Sequence, residues 1–261
     1  MTDSSFLFEQ RSGPFVRDIY RFLELDSTNA KLKAWIRSKE AKHGSVVRTD
    51  YQTTGRGQMG TSWQSEPGQN LLLSLYLQNL PLPIDQQFAL NMTVCLALQQ
   101  FFAQRLSDVQ IKWPNDLYAQ GKKLGGLLIE NFIGKHWDGC IIGMGLNINQ
   151  ARFEHLPQAA SVRSLSQKAW PLYEAEDQLF QCLDENLSQA YSSQFAEVER
   201  RFNEHLLGQN EWLWYQNTQG ESFQAQVIRV NAQGQMEMQT RQGQTLYPGI
   251  KSLRLMGDKQ P

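Results

Sequence analysis

Two long stretches of apolar residues at helical spacing, set among short unbroken apolar runs, mark a chain that mixes helix and strand from end to end. Asp26-Ser27-Thr28-Asn29 leads into Ala30, Leu32, Ala34, Trp35 and Ile36, so side chains able to cap free N–H groups precede a predicted helix. Residues 45–50 read as a short strand and 70–77, an apolar run, as another. Between them lies a polar stretch, 51–69, carrying Gly55, Gly57, Gly60 and Gly68. Over 88–106 the positions Leu90, Val94, Ala97, Leu98, Phe101 and Phe102 predict a core helix. Residues 109–113 and 123–130 read as strands about a turn at Gly121, and 140–145 as a further apolar strand. From 174 to 206, Leu179, Phe180, Leu183, Leu187, Val198 and Phe202 trace one face of a long helix or a helix pair. After Leu207-Gly208 the texture changes. Short alternating segments separated by Gly220, Gly234 and Gly243 predict five strands in a small β-barrel.

Composition narrows the class. Of 261 residues, 41% are hydrophobic and 11% aromatic, enough to fill a core and to exclude disorder as the main state. With 25 Lys+Arg against 26 Asp+Glu, a formal charge of -1 speaks against a protein that wraps bulk nucleic acid. No run approaches the roughly 18–20 apolar residues of a membrane span, and the first ten residues lack the basic and apolar regions of a signal peptide. Cys95, Cys140 and Cys182 are too few and too scattered for a disulfide framework or a zinc site. His43, His136, His155 and His205 have no metal-ligand spacing. A cytoplasmic protein is the expectation.

Three segments carry candidate chemistry. Thr54-Gly55-Arg56-Gly57-Gln58-Met59-Gly60, closed by Trp63, combines glycines that let N–H groups converge on an anion with a forked cation and a flat aromatic face; it also reads as a surface turn with a solvated arginine. Ile111-Lys112-Trp113-Pro114-Asn115-Asp116 is a strand whose exit presents Lys112, Asn115 and Asp116. Seven residues on, Lys123 opens an apolar strand, where a lysine is costly to bury unless an anion meets it, or else is an exposed hairpin lysine. Ile142-Gly143-Met144-Gly145-Leu146-Asn147 removes side chains from one strand face, leaving a slot for a thin apolar ligand or a tight strand crossing. No serine or cysteine nucleophile motif is present. The chemistry is anion positioning rather than covalent catalysis.

Taken in order, these segments resemble the biotin–protein ligases, the biotin–[acetyl-CoA-carboxylase] ligases. The likeness rests on Asp26-Ser27-Thr28-Asn29, the loop from Gln52 to Trp63 with its G-R-G core, Asn70, K-W-P-N-D, Lys123-Leu124-Gly125-Gly126, Gly143-x-Gly145-x-Asn147 and a C-terminal Tyr247-Pro248-Gly249. The resemblance implies an α+β fold: a mixed sheet with flanking helices, like that of class II aminoacyl-tRNA synthetases, over 1–207, and an SH3-like barrel over 208–261. It implies an enzyme that uses Mg2+ and ATP to turn biotin into biotinyl-5′-AMP and then passes biotin to a lysine of a biotin carboxyl carrier protein. The catalytic residues implied are Arg56, Lys112 and Lys123. Biotin would be held by Ser27, Thr28, Asn29, Gln52, Gly55, Arg56, Gly57, Gln58, Lys123, Gly126, Gly143 and Gly145. The nucleotide would meet Arg56, Trp63, Asn70, Asn115, Asp116 and Asn147, with Mg2+ carried by ATP near Asp116.

Two departures refine the expectation. About 25 residues precede Ser27, too few for the DNA-binding domain of the family's repressors, so nucleic acid is not an expected partner; with no apolar run long enough to span a bilayer neither is a membrane, and a monomer or homodimer is expected. The position after G-R-G, often basic in the family, is Gln58, which weakens the positive charge near the adenylate. The nearest rival is a lipoate–protein ligase or octanoyltransferase of the same fold; a non-enzymatic biotin-sensing module is another.

Overall fold

The computed structural model describes residues 6–80, 83–154, 156–192, 195–250 and 252–257; His155 lies outside them. One large sheet is built from β1 (Leu7–Gln10), β2 (Asp18–Leu25), β3 (Ser45–Gln52), β4 (Leu71–Gln78), β5 (Gln110–Lys112), β6 (Asp116–Ala119), β7 (Lys122–Ile133) and β8 (Trp137–Leu146). Its spatial order is β1-β2-β3-β4-β8-β7-β6-β5. Only β2 and β3 run parallel among the pairs described, because α1 (Thr28–Arg37) crosses between them; every other neighbour is antiparallel. The predicted helix and strands at 30–36, 45–50, 70–77 and 140–145 are thus present. Three strands of this sheet were not read from the sequence, β1, β2 and the short β6, nor was the short helix at Val162–Ser166.

β4 explains how the sheet is covered on both faces. It lies between β3 and β8 and is buried along Leu71–Leu77. By strand alternation Leu71, Leu73, Leu75 and Leu77 join the main core, whereas Tyr76 joins the smaller cluster with Leu32 and Trp35 of α1. The main core is filled by α2 (Gln87–Ala103), which is buried almost all round. α2 packs against α4 (Leu172–Tyr191) and α5 (Phe195–Glu204), the helix pair predicted over 174–206; α3 (Val162–Ser166) is a single capped turn.

A second sheet holds β9 (Leu213–Asn217), β10 (Ser222–Val230), β11 (Met236–Thr240), β12 (Thr245–Leu246) and β13 (Leu253–Gly257), in the order β12-β11-β10-β9-β13. The five predicted strands are there, but among the described residues β12 and β13 form the two edges of the sheet without pairing to each other, and the barrel does not close. The segment leading to this sheet covers the free edge of β5: Ile111 N–H donates to His205 O at 2.7 Å and Leu207 N–H to Ile111 O at 2.9 Å. Asn203 of α5 then grips Val230 through both backbone groups, at 2.9 and 2.6 Å.

Candidate active site

The parallel β2–β3 pair sets the geometry. Leu25 and Gln52 are in register at the ends of the two strands, so the start of α1 and the Gln52 side chain meet. Ser27 caps the helix, accepting from Ala30 N–H at 3.5 Å. Thr28 N–H, one of the donors a helix leaves free at its start, donates to Gln52 Oε1 at 2.9 Å. The polar chain beyond Gln52 turns back on itself, with Gly57 N–H on Thr61 O at 2.6 Å and Trp63 N–H on Gly55 O at 2.9 Å. The end of β3, the loop, β7, β8 and the second sheet enclose a cavity of about 430 Å³, within the range of small-molecule sites, roughly 300–1,000 Å³.

Three cations reach this one cavity: Arg56 from the loop, Lys112 from β5 and Lys123 from β7. Lys123 Nζ lies 2.6 Å from Asp116 Oδ1 and 5.9 Å from the centre of the Trp63 ring. The anion a lysine requires at that strand end is therefore supplied by the neighbouring strand. Gly126 makes the pairing possible, since a Cβ there would stand 2.6 Å from Asp116 Oδ1. Lys112 lies against Tyr118, its Nζ 5.1 Å from the ring centre and 3.4 Å from the hydroxyl. Burial pushes the Lys112 ammonium below the usual lysine range; Asp116 opposes that shift and Lys123 adds to it. Arg56 is exposed and forms no ion pair among the described residues.

The segment between the two lysines is fixed from three sides. Asn91 Nδ2 of α2 donates to Pro114 O at 2.7 Å. Asn115 donates through its side chain to Leu127 O, and its own carbonyl accepts from Leu127 N–H at 3.2 Å. Trp113 Nε1 donates to Gly234 O of the second sheet at 3.0 Å. The K-W-P-N-D exit is thereby held by helix, sheet and C-terminal unit together.

The predicted residues fall into two groups. Ser27, Thr28, Asn29, Gln52, Arg56, Gly57, Gln58, Trp63, Lys112, Asn115, Asp116, Lys123, Gly126, Gly143 and Gly145 all line the cavity. Gly55, Asn70 and Asn147 lie outside its lining. Gly55 stands where a Cβ would meet Trp63 O at 2.8 Å, so it lets the two arms of the loop close. Asn70 is fully buried, donating to Gln150 Oε1 at 2.6 Å and accepting from Ile148 N–H at 3.1 Å. Asn147 donates to Ala160 O at 3.1 Å. The slot expected above Gly143 and Gly145 is filled by this chain's own side chains: a Cβ on Gly143 would run into the Asn29 amide, and one on Gly145 would stand 2.6 Å from the Trp63 indole.

Sequence reasoning missed three contributors. Ser74 is hidden in an apolar run, and Glu130 ends what read as a strand of structural residues. The third is a wall from the second sheet, where Tyr215, Met236, Ile250 and Leu253 face the cavity.

A family model described as the biotin/lipoate A/B protein ligase family matches residues 22–147. That stretch contains the cap of α1, the glycine loop, both lysines and the β8 glycines. The match spans just under half of the chain. Among curated relatives, the bifunctional ligase/repressor BirA of Escherichia coli is 36% identical over 135 residues, 50% of this chain and 40% of that protein. The biotin–[acetyl-CoA-carboxylase] ligase of Mycobacterium tuberculosis is 32% identical over 143 residues, 53% of this chain and 52% of that protein. The chain thus spans about half the length of these curated relatives or less. Among solved structures, the biotin protein ligase of Aquifex aeolicus in complex with biotin and ATP superposes with a TM-score of 0.75 at 24% identity, covering 92% of this chain and 99% of that one. The α+β fold is shared with that ligase. No described helix is long and apolar enough to cross a membrane.

Proposed function

We propose that the protein is an ATP-dependent biotin–protein ligase, and that the gathering of Arg56, Lys112 and Lys123 around one cavity is the observation that carries this reading. Two anions, the biotin carboxylate and the ATP triphosphate, have to approach to bonding distance. Fixed cations and oriented N–H groups lower that barrier without reorganising during the reaction. In the first step a carboxylate oxygen bonds to the α-phosphorus and the bond to pyrophosphate breaks, giving biotinyl-5′-AMP. In the second an acceptor lysine amine bonds to the anhydride carbonyl, AMP leaves, and the amine loses a proton. The acceptor is proposed to be a biotin carboxyl carrier protein.

The residue roles are part of the same proposal. Ser27, Thr28, Asn29 and Gln52 form a polar end suited to the donors and acceptors of a cyclic urea; the dithiolane ring of lipoate offers none, which favours biotin within the family. Arg56 and Lys123 flank the reacting anions, and Lys112, Asn115 and Trp63 belong to the nucleotide side. Asp116 is the one carboxylate among the described lining residues, and Lys123 already holds it. Mg2+ would therefore be bound chiefly by the nucleotide's phosphates, with Asp116 within the same cavity, and would supply charge neutralisation there. We assign residues 1–207 to a catalytic unit and 208–261 to a second unit that walls its cavity. The test is incubation with biotin, Mg-ATP and an apo-carrier domain, read by intact mass. Addition of one biotin to the carrier is expected; exchange of pyrophosphate into ATP driven by lipoate and not biotin would overturn the assignment.

A further inference from the structure

Just past β8, residues 147–150 hold two elements of the cavity at once. On one side Asn147 N–H donates to Leu124 O at 2.8 Å. The Asn147 amide also holds Ala160, whose own N–H donates to Lys123 O at 2.9 Å, so this exit fixes the start of the strand that carries Lys123. On the other side it meets the return of the glycine loop. Asn149 N–H donates to Gln69 O at 2.8 Å, Ile148 N–H to Asn70 Oδ1 at 3.1 Å, and Glu66 N–H to Gln150 Oε1 at 3.1 Å. Gln150 is 6% exposed and lies outside the cavity lining. Its Oε1 also accepts from Asn70 Nδ2 at 2.6 Å, and its Nε2 donates to Arg152 O at 2.8 Å.

The two amides can sit in only one way. A backbone N–H only donates, so Ile148 requires the oxygen of Asn70, and Asn70 Nδ2 is thereby turned towards Gln150. Glu66 N–H and Asn70 Nδ2 then present protons to one point, where the Gln150 oxygen, with two lone pairs, takes both. An apolar side chain at 150 would leave the Asn70 donor buried without that acceptor and set the Glu66 backbone free. The loop has few other holds. At its entry Thr53 and Thr54 N–H donate to Leu25 O and Asp26 O, both at 3.0 Å. Between 55 and 63 the backbone hydrogen bonds among the described residues join the segment to itself, Gly57 with Thr61, Thr61 with Gln58 and Trp63 with Gly55. Among the described residues Glu66 is the first backbone group after Trp63 that is tied to another element. We propose that Gln150 is a positioning residue: by clamping Glu66 to the strand exit that also fixes Lys123, it holds Trp63 in register with Lys123 on the nucleotide side of the cavity. The inference rests on the biotin-ligase reading and extends it to a residue outside the cavity that governs nucleotide binding.

The test is biotin-dependent exchange of pyrophosphate into ATP by the full chain, with KM measured separately for ATP and for biotin. In Gln150→Leu the ATP KM should rise about tenfold, the scale of one lost hydrogen bond. Lys123 keeps its own bonds to the strand exit, so kcat and the biotin KM should stay at their wild-type values. A purely structural role would lower the folded fraction, and with it kcat, and would not separate the two KM values. Trp63→Ala should also raise the ATP KM, and adding Gln150→Leu to it should raise that KM no further, because both act through the same side chain. Glu66→Pro removes the clamped N–H at an exposed position and leaves the buried amide pair in place. It carries the same expectation, and decides the matter if Gln150→Leu does not fold. A wild-type ATP KM in Glu66→Pro, or factors that multiply in the double variant, overturns the clamp alone. Absence of exchange in the unaltered protein overturns the ligase reading, and the clamp with it.

Discussion

Removing the Lys123 ammonium would leave Asp116 as an unpaired carboxylate facing the place where two further anions have to meet. The variant thus loses a stabilising charge and exposes a repelling one. Loss of a single fixed donor to a developing anion typically costs about 10²–10³ in rate. Lys123→Ala is expected to slow adenylate formation by that factor while the core, which Lys123 does not enter, keeps its circular dichroism. A wild-type rate would remove Lys123 from the reaction. Gln58 carries a subtler expectation. It lines the cavity next to the Arg56 turn, and a cation in its place would add attraction for the adenylate phosphate. Gln58→Arg should slow the release of biotinyl-5′-AMP, followed by its loss on rapid dilution. Equal release from both proteins would show that charge at this position does not govern retention.

At the scale of elements, the strand exit at 113–116 depends on a turn more than a hundred residues away. Gly234 receives the Trp113 indole N–H, has φ +83°, and stands where a Cβ would be 2.5 Å from the Phe88 ring of α2. Gly234→Ala meets both penalties at once, a left-handed backbone and a rigid ring. It should cost about 1–3 kcal/mol in urea unfolding and reduce adenylate formation by disturbing Asn115 and Asp116. Unchanged stability would mean that the turn is free to move. This dependence marks the limit of what the sequence discloses. The cap at Ser27, the β4 run and the lysines at 112 and 123 were legible because each is a local pattern. β6 was not, for its four residues lie between Pro114 and the Gly121 turn and are absorbed by the punctuation around them. β1 escaped because its side chains are exposed and carry no burial rhythm. Ser74 was masked by its apolar neighbours, and the cavity wall from the second sheet depends on contacts that no local spacing encodes. Barrel closure was overestimated for the opposite reason: strand number can be read from alternation, but the pairing of β12 with β13 cannot.

For the whole molecule, acid sensitivity follows from two half-buried imidazoles at junctions between units of structure. His43 Nδ1 accepts from Gln78 N–H at 3.1 Å, tying the turn before β3 to the end of β4, so the neutral ring is the one the fold requires. His205 lies in the segment that covers β5 and leads to the second sheet. Burial pushes both imidazoles below the usual histidine range; Arg17 adds to the effect at His43, while at His205 Glu204 opposes it. A depressed folded-state pKa means that the unfolded chain takes up protons first. The stabilisation is complete above the unfolded value near 6.5 and is lost as pH falls through the lower folded values. Urea midpoints should therefore drop between pH 7.5 and pH 5.5, before most carboxylates titrate. His43→Asn keeps a side-chain acceptor for Gln78 N–H without a titrating ring, so its midpoint should fall less over the same interval. Parallel pH profiles for the two proteins would assign the acid sensitivity elsewhere, with His205 next to be tested.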